Sequence, residues 1–296
     1  EGSSEETMAT GNVTTTTAAK FIPELWRDAI LDYAERKFEL RNQVMDFSSE
    51  LPSGNVLHIP KVTEETAASK DANTAVTYQN NTDGEVTITV DQHHYEAKRI
   101  EDIVRVQESA NLFGAYAQSM GYALAKKVEN YLAVDVLQSA TGNDVSLGTD
   151  NQVTSALLRS GLQKLLDAGH DYADGETFLY ASPAAYMYLL SLQDFYDSSR
   201  RGDEQNPNVS GGVGMIYGMP TYISTDWDDD GGSGDETATV FKKEAVYMAM
   251  QIAPRVQSAY DIDHLATSVV ADILFGASLS HGASSTSLGV VNFNNP

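Results

Sequence analysis

The sequence predicts an α+β fold in which a polar β-hairpin leads straight into a long helix and both precede a compact α/β section. Three observations carry the prediction. Val86, Ile88 and Val90 alternate with Thr87 and Thr89, the period-two pattern of a half-buried strand. From Ile100 the period changes, and Ile100, Ile103, Val104, Leu112, Phe113, Tyr116, Met120, Leu124, Val128 and Leu132 fall on one stripe of an α-helix extending to about residue 140. Beyond Thr141–Gly142–Asn143–Asp144, short apolar strands and short amphipathic helices follow one another.

Taken in order, the chain opens with a Thr/Ser/Gly stretch to about residue 19 that has no periodicity and is expected to stay mobile until something pins it. Met8 heads a start-like MATGN, so the residues before it are read either as an added leader or as the result of processing. An amphipathic helix is expected from Pro23 to Val44, with Leu25, Trp26, Ile30, Tyr33, Ala34, Phe38 and Leu40 on its apolar face and Pro23 in its first turn. The hairpin reads VLHIPKV at 56–62, a Thr/Ala/Ser/Asn middle, and EVTITVDQHHYEAKR at 85–99. So few large apolar side chains cannot stabilise a two-stranded ribbon alone, so it must lie on something else. After the long helix, Val153–Ala168 is helical and stops at Gly169, Thr177–Ala181 is a buried strand, and Pro183 opens a helix over Ala184–Phe195. Residues 197–214 read as a loop, and strands are expected at Pro220–Ser224, Thr239–Phe241, Ala245–Gln251, Val256–Ile262 and Ser268–Phe275, before a Gly/Ser/Asn tail.

Composition removes several function classes. The 42 acidic against 19 basic residues give a formal charge of −23, which opposes binding to a phosphate backbone, because that affinity rests on counterion release by Lys and Arg. Such a surface would instead let nucleic acid slide freely over it. With no cysteine there is no disulfide framework and no thiolate nucleophile, so durable stability must come from packing or association. No window approaches the ~18 consecutive apolar residues of a membrane span, and no membrane partner is expected.

The order of mobile arm, amphipathic helix, polar hairpin, long helix, α/β insert and terminal strands resembles the major capsid protein of tailed bacteriophages, the fold named for the Hong Kong coliphage and shared with encapsulin shells. Three local stretches carry the likeness. Gly214–Met215–Ile216–Tyr217–Gly218–Met219–Pro220–Thr221–Tyr222–Ile223–Ser224 is similar to the family's G-x-x-x-G-x-P turn and strand, and Val240–Ala249 to its axial-domain strand. Ser268–Ala277 is similar to the closing peripheral strand. The resemblance implies an N-terminal arm with its helix over 1–55, an extended loop over 56–99 and a peripheral-domain spine helix over 100–145. An axial domain over 146–254 and peripheral closing strands with a C-terminal tail over 255–296 complete it. It implies a structural, non-enzymatic subunit that self-assembles into hexamers and pentamers of an icosahedral virion shell in the host cytoplasm. That shell would enclose double-stranded DNA without specific contacts, use no cofactor, and work with scaffolding, portal and decoration proteins. An encapsulin-like compartment is the alternative within the fold, and an acidic secreted enzyme or carbohydrate-binding module the alternative outside it.

Candidate chemistry is sparse. His58, His93, His94, His170, His264 and His281 form no metal motif, and the adjacent His93 and His94 must point to opposite faces of a strand. No G-x-S-x-G, phosphate loop or H-E-x-x-H occurs, so no catalytic residue is assigned. The sharpest feature is Asp226–Trp227–Asp228–Asp229–Asp230–Gly231, whose Asp226, Asp228 and Asp230 alternate as in a calcium loop. The match then fails, because the twelfth position is Thr237 where a bidentate Glu is needed, and a solvated acidic loop is the expectation. Nine acids against Arg200 and Arg201 between residues 197 and 236 leave −7 there, so copies converging on an axis would favour a bound cation. Some relatives of this fold link an extended-loop Lys to a neighbour's Asn; here Lys61 and Lys70 lie in the hairpin and Asn292, Asn294 and Asn295 in the tail, with no residue matching that motif.

Overall fold

The structure is a computed structural model, and it describes residues 39–61, 67–76, 78, 84–102, 112–147, 152–191, 214–224 and 237–294. The expected helix over 23–44 falls largely outside these; its last part forms a 3-10 turn, Leu40–Gln43, with Leu40 buried. The chain divides into two compact units. One comprises 1–37, 94–125 and 254–273, and the other 38–93, 126–253 and 274–296.

Twelve strands are described. β1 (Met45–Asp46) is short, and β2 (Val56–Lys61) pairs antiparallel with β3 (Gly84–Thr89), Val56 opposite Thr89 and Lys61 opposite Gly84. β4 (Gln92–Glu101) alternates strictly between half-buried and exposed positions, with His93 exposed and His94 half-buried. Strand geometry therefore continues through Ile100 and Glu101, where helical periodicity was expected. The alternation of Tyr95, Ala97, Arg99 and Glu101 against half-buried neighbours overrides the three-residue step that begins at Ile100. The long helix is described as α1 (Leu112–Asn130), and it passes directly into a seven-residue π-helix, Tyr131–Leu137.

The insert, joined by a strand from the tail, builds a six-stranded sheet of order β5-β12-β9-β6-β8-β7, from β5 (Val145–Ser146), β6 (Thr177–Ala181), β7 (Met215–Ile216), β8 (Met219–Ile223), β9 (Ala238–Lys242) and β12 (Val290–Asn294). Helix α2 (Ser155–Asp167) starts where Thr154 Oγ1 accepts the Leu157 amide at 3.3 Å, and Gly169 ends it at φ +84°. Helix α3 (Pro183–Ser191) starts with its Pro in the first turn behind Ser182, whose Oγ accepts the Ala185 amide. Leu158, Leu162 and Leu165 of α2 and Ala185 and Leu189 of α3 bury against Leu179, Val240, Val291 and Phe293 of the sheet. β7 and β8 are joined through Tyr217 and Gly218, both at positive φ, the conformation a two-residue hairpin turn requires.

Two stretches differ from expectation. Val246–Asp261 is one sixteen-residue strand, β10, where two runs were expected on either side of Pro254. Among the described residues β1 reaches only Tyr247 and Met248, so it ends before Pro254, and a strand edge tolerates a residue without an N–H. With β11 (Ala266–Leu279) it belongs to a four-stranded sheet of order β1-β10-β11-β4. The Gly/Ser/Asn tail in turn contains β12, a core strand between β5 and β9. Its Val290, Val291 and Phe293 are fully buried, an apolar run short enough to be masked by the Gly, Ser and Asn residues around it.

Candidate functional site

Among the described residues the hairpin β2–β3 forms a sheet of its own, with both outer strand edges left to other partners. Its base is anchored: Ile88 and Val90 are buried with Leu51 and Ala249, and Phe47, Leu57, Ile59, Tyr247 and Leu274 pack against them. Gly276 of β11 makes that anchoring possible, because a Cβ there would lie 2.0 Å from the Thr89 carbonyl oxygen. Away from the base the burial falls off. The connecting stretch 67–76 has no regular structure beyond a turn in which Thr74 donates to the Asp71 carbonyl, and Val76 and Tyr78 are exposed, Tyr78 to 92%. A tyrosine so fully solvated at the end of a strap gains its stabilisation only when another surface covers it.

The other unit presents a second exposed surface, the turn between β10 and β11. Tyr260, Ile262 and Leu265 are exposed, Ile262 to 76%. Polar contacts hold the turn in shape: the Tyr260 hydroxyl donates to Asp102 at 2.7 Å, the Asp102 amide donates to the Leu265 carbonyl, and Asp261 binds His264 at 2.6 Å and Arg99 at 3.6 Å. The His264 hydrogen bond, opposed by burial and helped by Arg99, holds the Asp261 carboxyl below its ordinary range. In the same unit Arg255 grips the buried Asp272 with two bonds of 2.8 Å across β10 and β11, which raises the Arg255 guanidinium further. The turn thus holds three large apolar side chains in water.

Asp226, Asp228 and Asp230 lie outside the described residues, as does Asn295. Lys61 ends β2, where burial draws its ammonium down, and Lys70 is exposed in the connecting stretch. Asn292, one of the tail residues considered for linking, is 2% exposed on β12 and engaged elsewhere. Its amide donates to the carbonyls of Leu137 and Ala140 at 2.9 and 2.7 Å, and its oxygen accepts from Thr239 at 2.7 Å. Burial pushes the Asp144 carboxyl up, opposed by Lys164 and then by Asn294, the last residue of β12. The local signal for a buried Asn292 is the apolar run Val290, Val291 and Phe293 around it, which marks a core strand.

The histidines are dispersed over the described residues. His58 faces Glu85 at 3.2 Å, His170 bridges Glu244 and the Ser287 carbonyl, and His281 touches Ser280, while burial and then Lys61 and His170 lower its imidazole. Among the described residues no three His, Asp or Glu side chains converge as metal ligands, and no helix is long and apolar enough to cross a membrane.

Comparison with known proteins places this geometry. Among solved structures, a chain of Mycobacterium phage Che8 aligns at TM-score 0.71 and 22% identity, covering 87% of this chain and 91% of its own. The capsid of cyanophage P-SCSP1u aligns at TM-score 0.70 and 15% identity, covering 88% of each chain. A virus-like particle from Pyrococcus furiosus aligns at TM-score 0.60 and 13% identity, covering 92% of this chain and 98% of its own. No curated protein matches the chain in sequence. The sequence model of the family described as phage capsid protein matches residues 95–281, well over half of the chain. The chain therefore belongs to the phage capsid protein family.

Proposed function

We propose that this chain is the subunit of an icosahedral phage head, assembling as hexamers and pentamers around double-stranded DNA. The family match over 95–281 carries the proposal. The hairpin supports it, because its exposed Val76 and Tyr78 need a covering surface that a neighbouring copy supplies. In this role the 1–55 segment and the 56–99 loop lap adjacent subunits. The 100–145 segment acts as the spine, 146–254 as the axial domain and 255–296 as the peripheral closing part. Contacts of this kind are individually modest but large in total area, so subunit stability is inseparable from assembly. The −23 charge keeps the wall from binding the genome. Assembly takes place in the host cytoplasm, with scaffolding, portal and decoration proteins as further partners. Any cation held by Asp226, Asp228 and Asp230 would sit where copies converge.

Electron microscopy of the purified protein tests the proposal: closed shells are expected. Deleting residues 60–95 should leave soluble protein without closed shells, and normal particles from that deletion would refute the strap role. The likeness to the Pyrococcus furiosus particle favours one second reading, a compartment without a genome; DNA rather than an enzyme cargo in purified particles excludes it. Because Asn292 is buried with all its bonding groups engaged, no covalent linking through it is proposed. Denaturing electrophoresis of particles should give a single band at 32.1 kDa, and a ladder would overturn this.

A further inference from the structure

A cleft of about 310 Å³ opens where the long helix ends, with Tyr131, Asp135 and Ser139 on one side and Ala277, Ser278 and His281 on the other. Its walls all belong to the unit comprising 38–93, 126–253 and 274–296, so they form part of one compact body. The volume lies within the range of small-molecule sites.

The lining selects the charge of a guest. No Lys or Arg is among the lining residues, and Asp135 contributes an exposed carboxylate. Asp135 and Val136 stand in the last turn of a helix that runs unbroken from Leu112 to Leu137, and Ser139 follows just beyond it. The negative end of the helix dipole therefore lies at the cleft. The His281 imidazole adds no positive charge at neutral pH, because burial, then Lys61 and His170, lower it. Lys61 itself is not a lining residue. An anion thus finds no partner here, whereas a cation meets a carboxylate and a helix C-terminus.

The same lining selects the kind of cation. Ser139 Oγ donates its proton to the Val136 carbonyl at 2.7 Å, so its lone pairs are what it offers a guest. The Tyr131 ring stands edge-on to Phe275 at 5.4 Å. Burial, then Asp91 and Asp135, raise its phenol, which stays protonated and can accept a hydrogen bond through its oxygen. One carboxylate and two hydroxyl oxygens suit a charged N–H donor. They are too few anionic oxygens for a hard metal ion, and among the described residues no three His, Asp or Glu side chains converge. Val136, Ala277 and Leu279 add an apolar wall on which methylene groups can lie.

We infer that this cleft binds a small aliphatic ammonium cation, its N–H groups held by Asp135 and the Tyr131 and Ser139 hydroxyls and its methylenes against Val136, Ala277 and Leu279. Titration calorimetry of the unassembled subunit with 1,4-diaminobutane tests it, at ~0.15 M salt so that general attraction to the −23 surface is screened. Saturable one-to-one binding is expected. Asp135→Asn should weaken it at least about tenfold, the loss of one hydrogen bond to a charged group, while Asp263→Asn, an exposed carboxylate of the β10–β11 turn, leaves it unchanged. Ala277→Leu fills the cleft without altering charge and should abolish binding. Magnesium ion matches the diamine in charge but has no N–H donor, so it should not displace the diamine at equal concentration. Heats that do not saturate, or that fall equally in the two carboxylate variants, would reduce the effect to diffuse counterions and overturn the site. Binding that survives Ala277→Leu, or displacement by equimolar magnesium, would overturn it as well.

Discussion

Substituting Gly276 by Ala strikes the point where the hairpin is held. A Cβ at this position would stand 2.0 Å from the Thr89 carbonyl oxygen, 2.7 Å from the Thr89 carbonyl carbon and 2.9 Å from the Val90 Cα. Ordinary contact begins near 3.4 Å, so the backbone at Thr89 must retreat by at least about 1.4 Å. All three obstacles are main chain, and no side-chain rotation relieves them. The retreat also pulls on Val90, whose amide donates to the Asn55 carbonyl at 2.8 Å, and on Ile88, which is fully buried with Leu51 and Ala249. Overpacking of this kind costs about 1–3 kcal/mol, and obstruction by backbone places it at or above about 3 kcal/mol. Urea unfolding of the unassembled subunit measures the cost as a lower midpoint at unchanged m-value. Gly282→Ala, with no atom within 4 Å of its added Cβ, is the control and should stay within about 0.5 kcal/mol of wild type. A Gly276→Ala protein as stable as that control would refute the claim that this glycine admits the hairpin base. Because the substitution tilts the hairpin, shells should also form poorly in proportion to the lost stability.

Phe293→Ala empties a fully buried ring site on β12 and should cost about 3–5 kcal/mol by denaturant unfolding, where a peripheral tail residue would cost almost nothing. Arg255→Met leaves the Asp272 carboxylate, 6% exposed, without its two charge-assisted bonds, and a loss of about 1.5–3 kcal/mol is expected; a double variant with Asp272→Asn should recover part of it in a double-mutant cycle. Burial alone would raise the Asp174 carboxyl, but the Glu176 amide and the Lys242 ammonium at 3.0 Å outweigh it and hold it below the ordinary value. A carboxyl depressed by folding stabilises the protein above its unfolded value of about 3.9, and that contribution disappears as pH falls through the folded value. Acid titration of Asp174→Asn against wild type should therefore show the two curves converging below about pH 4, and parallel curves would exclude the contribution.

How far the sequence spoke depended on the range of the interaction. The alternation through Val86, Ile88 and Val90, the Gly169 stop of α2 and Pro183 at the head of α3 are local signals, decided within a few residues by backbone sterics and side-chain period, and each element stands where those signals put it. The limits of the long helix were not legible in this way. Ile100 satisfies both a helical step and the strand alternation of β4, and only pairing within a sheet selects the strand. The candidate site divides similarly: the hairpin as an element needing a partner surface could be read from its poverty in large apolar residues, whereas the exposed Ile262 turn could not, because Ile262 ends an ordinary apolar run.

By itself the sequence determined the α+β fold class and the alternating strand through Val86 and Ile88, since both follow from short-range periodicity, whereas β4, expected as the hairpin's continuation, joins another sheet. Tertiary structure alone decided the rest. Val290–Asn294 becomes a core strand because β5 and β9 leave a slot between them. Gly276 matters because the Thr89 carbonyl crosses it. Asn292 is held in the core because folding brings its amide against the carbonyls of residues about 150 positions away, Leu137 and Ala140. Contacts between residues so distant in the chain leave no period for a local pattern to reveal.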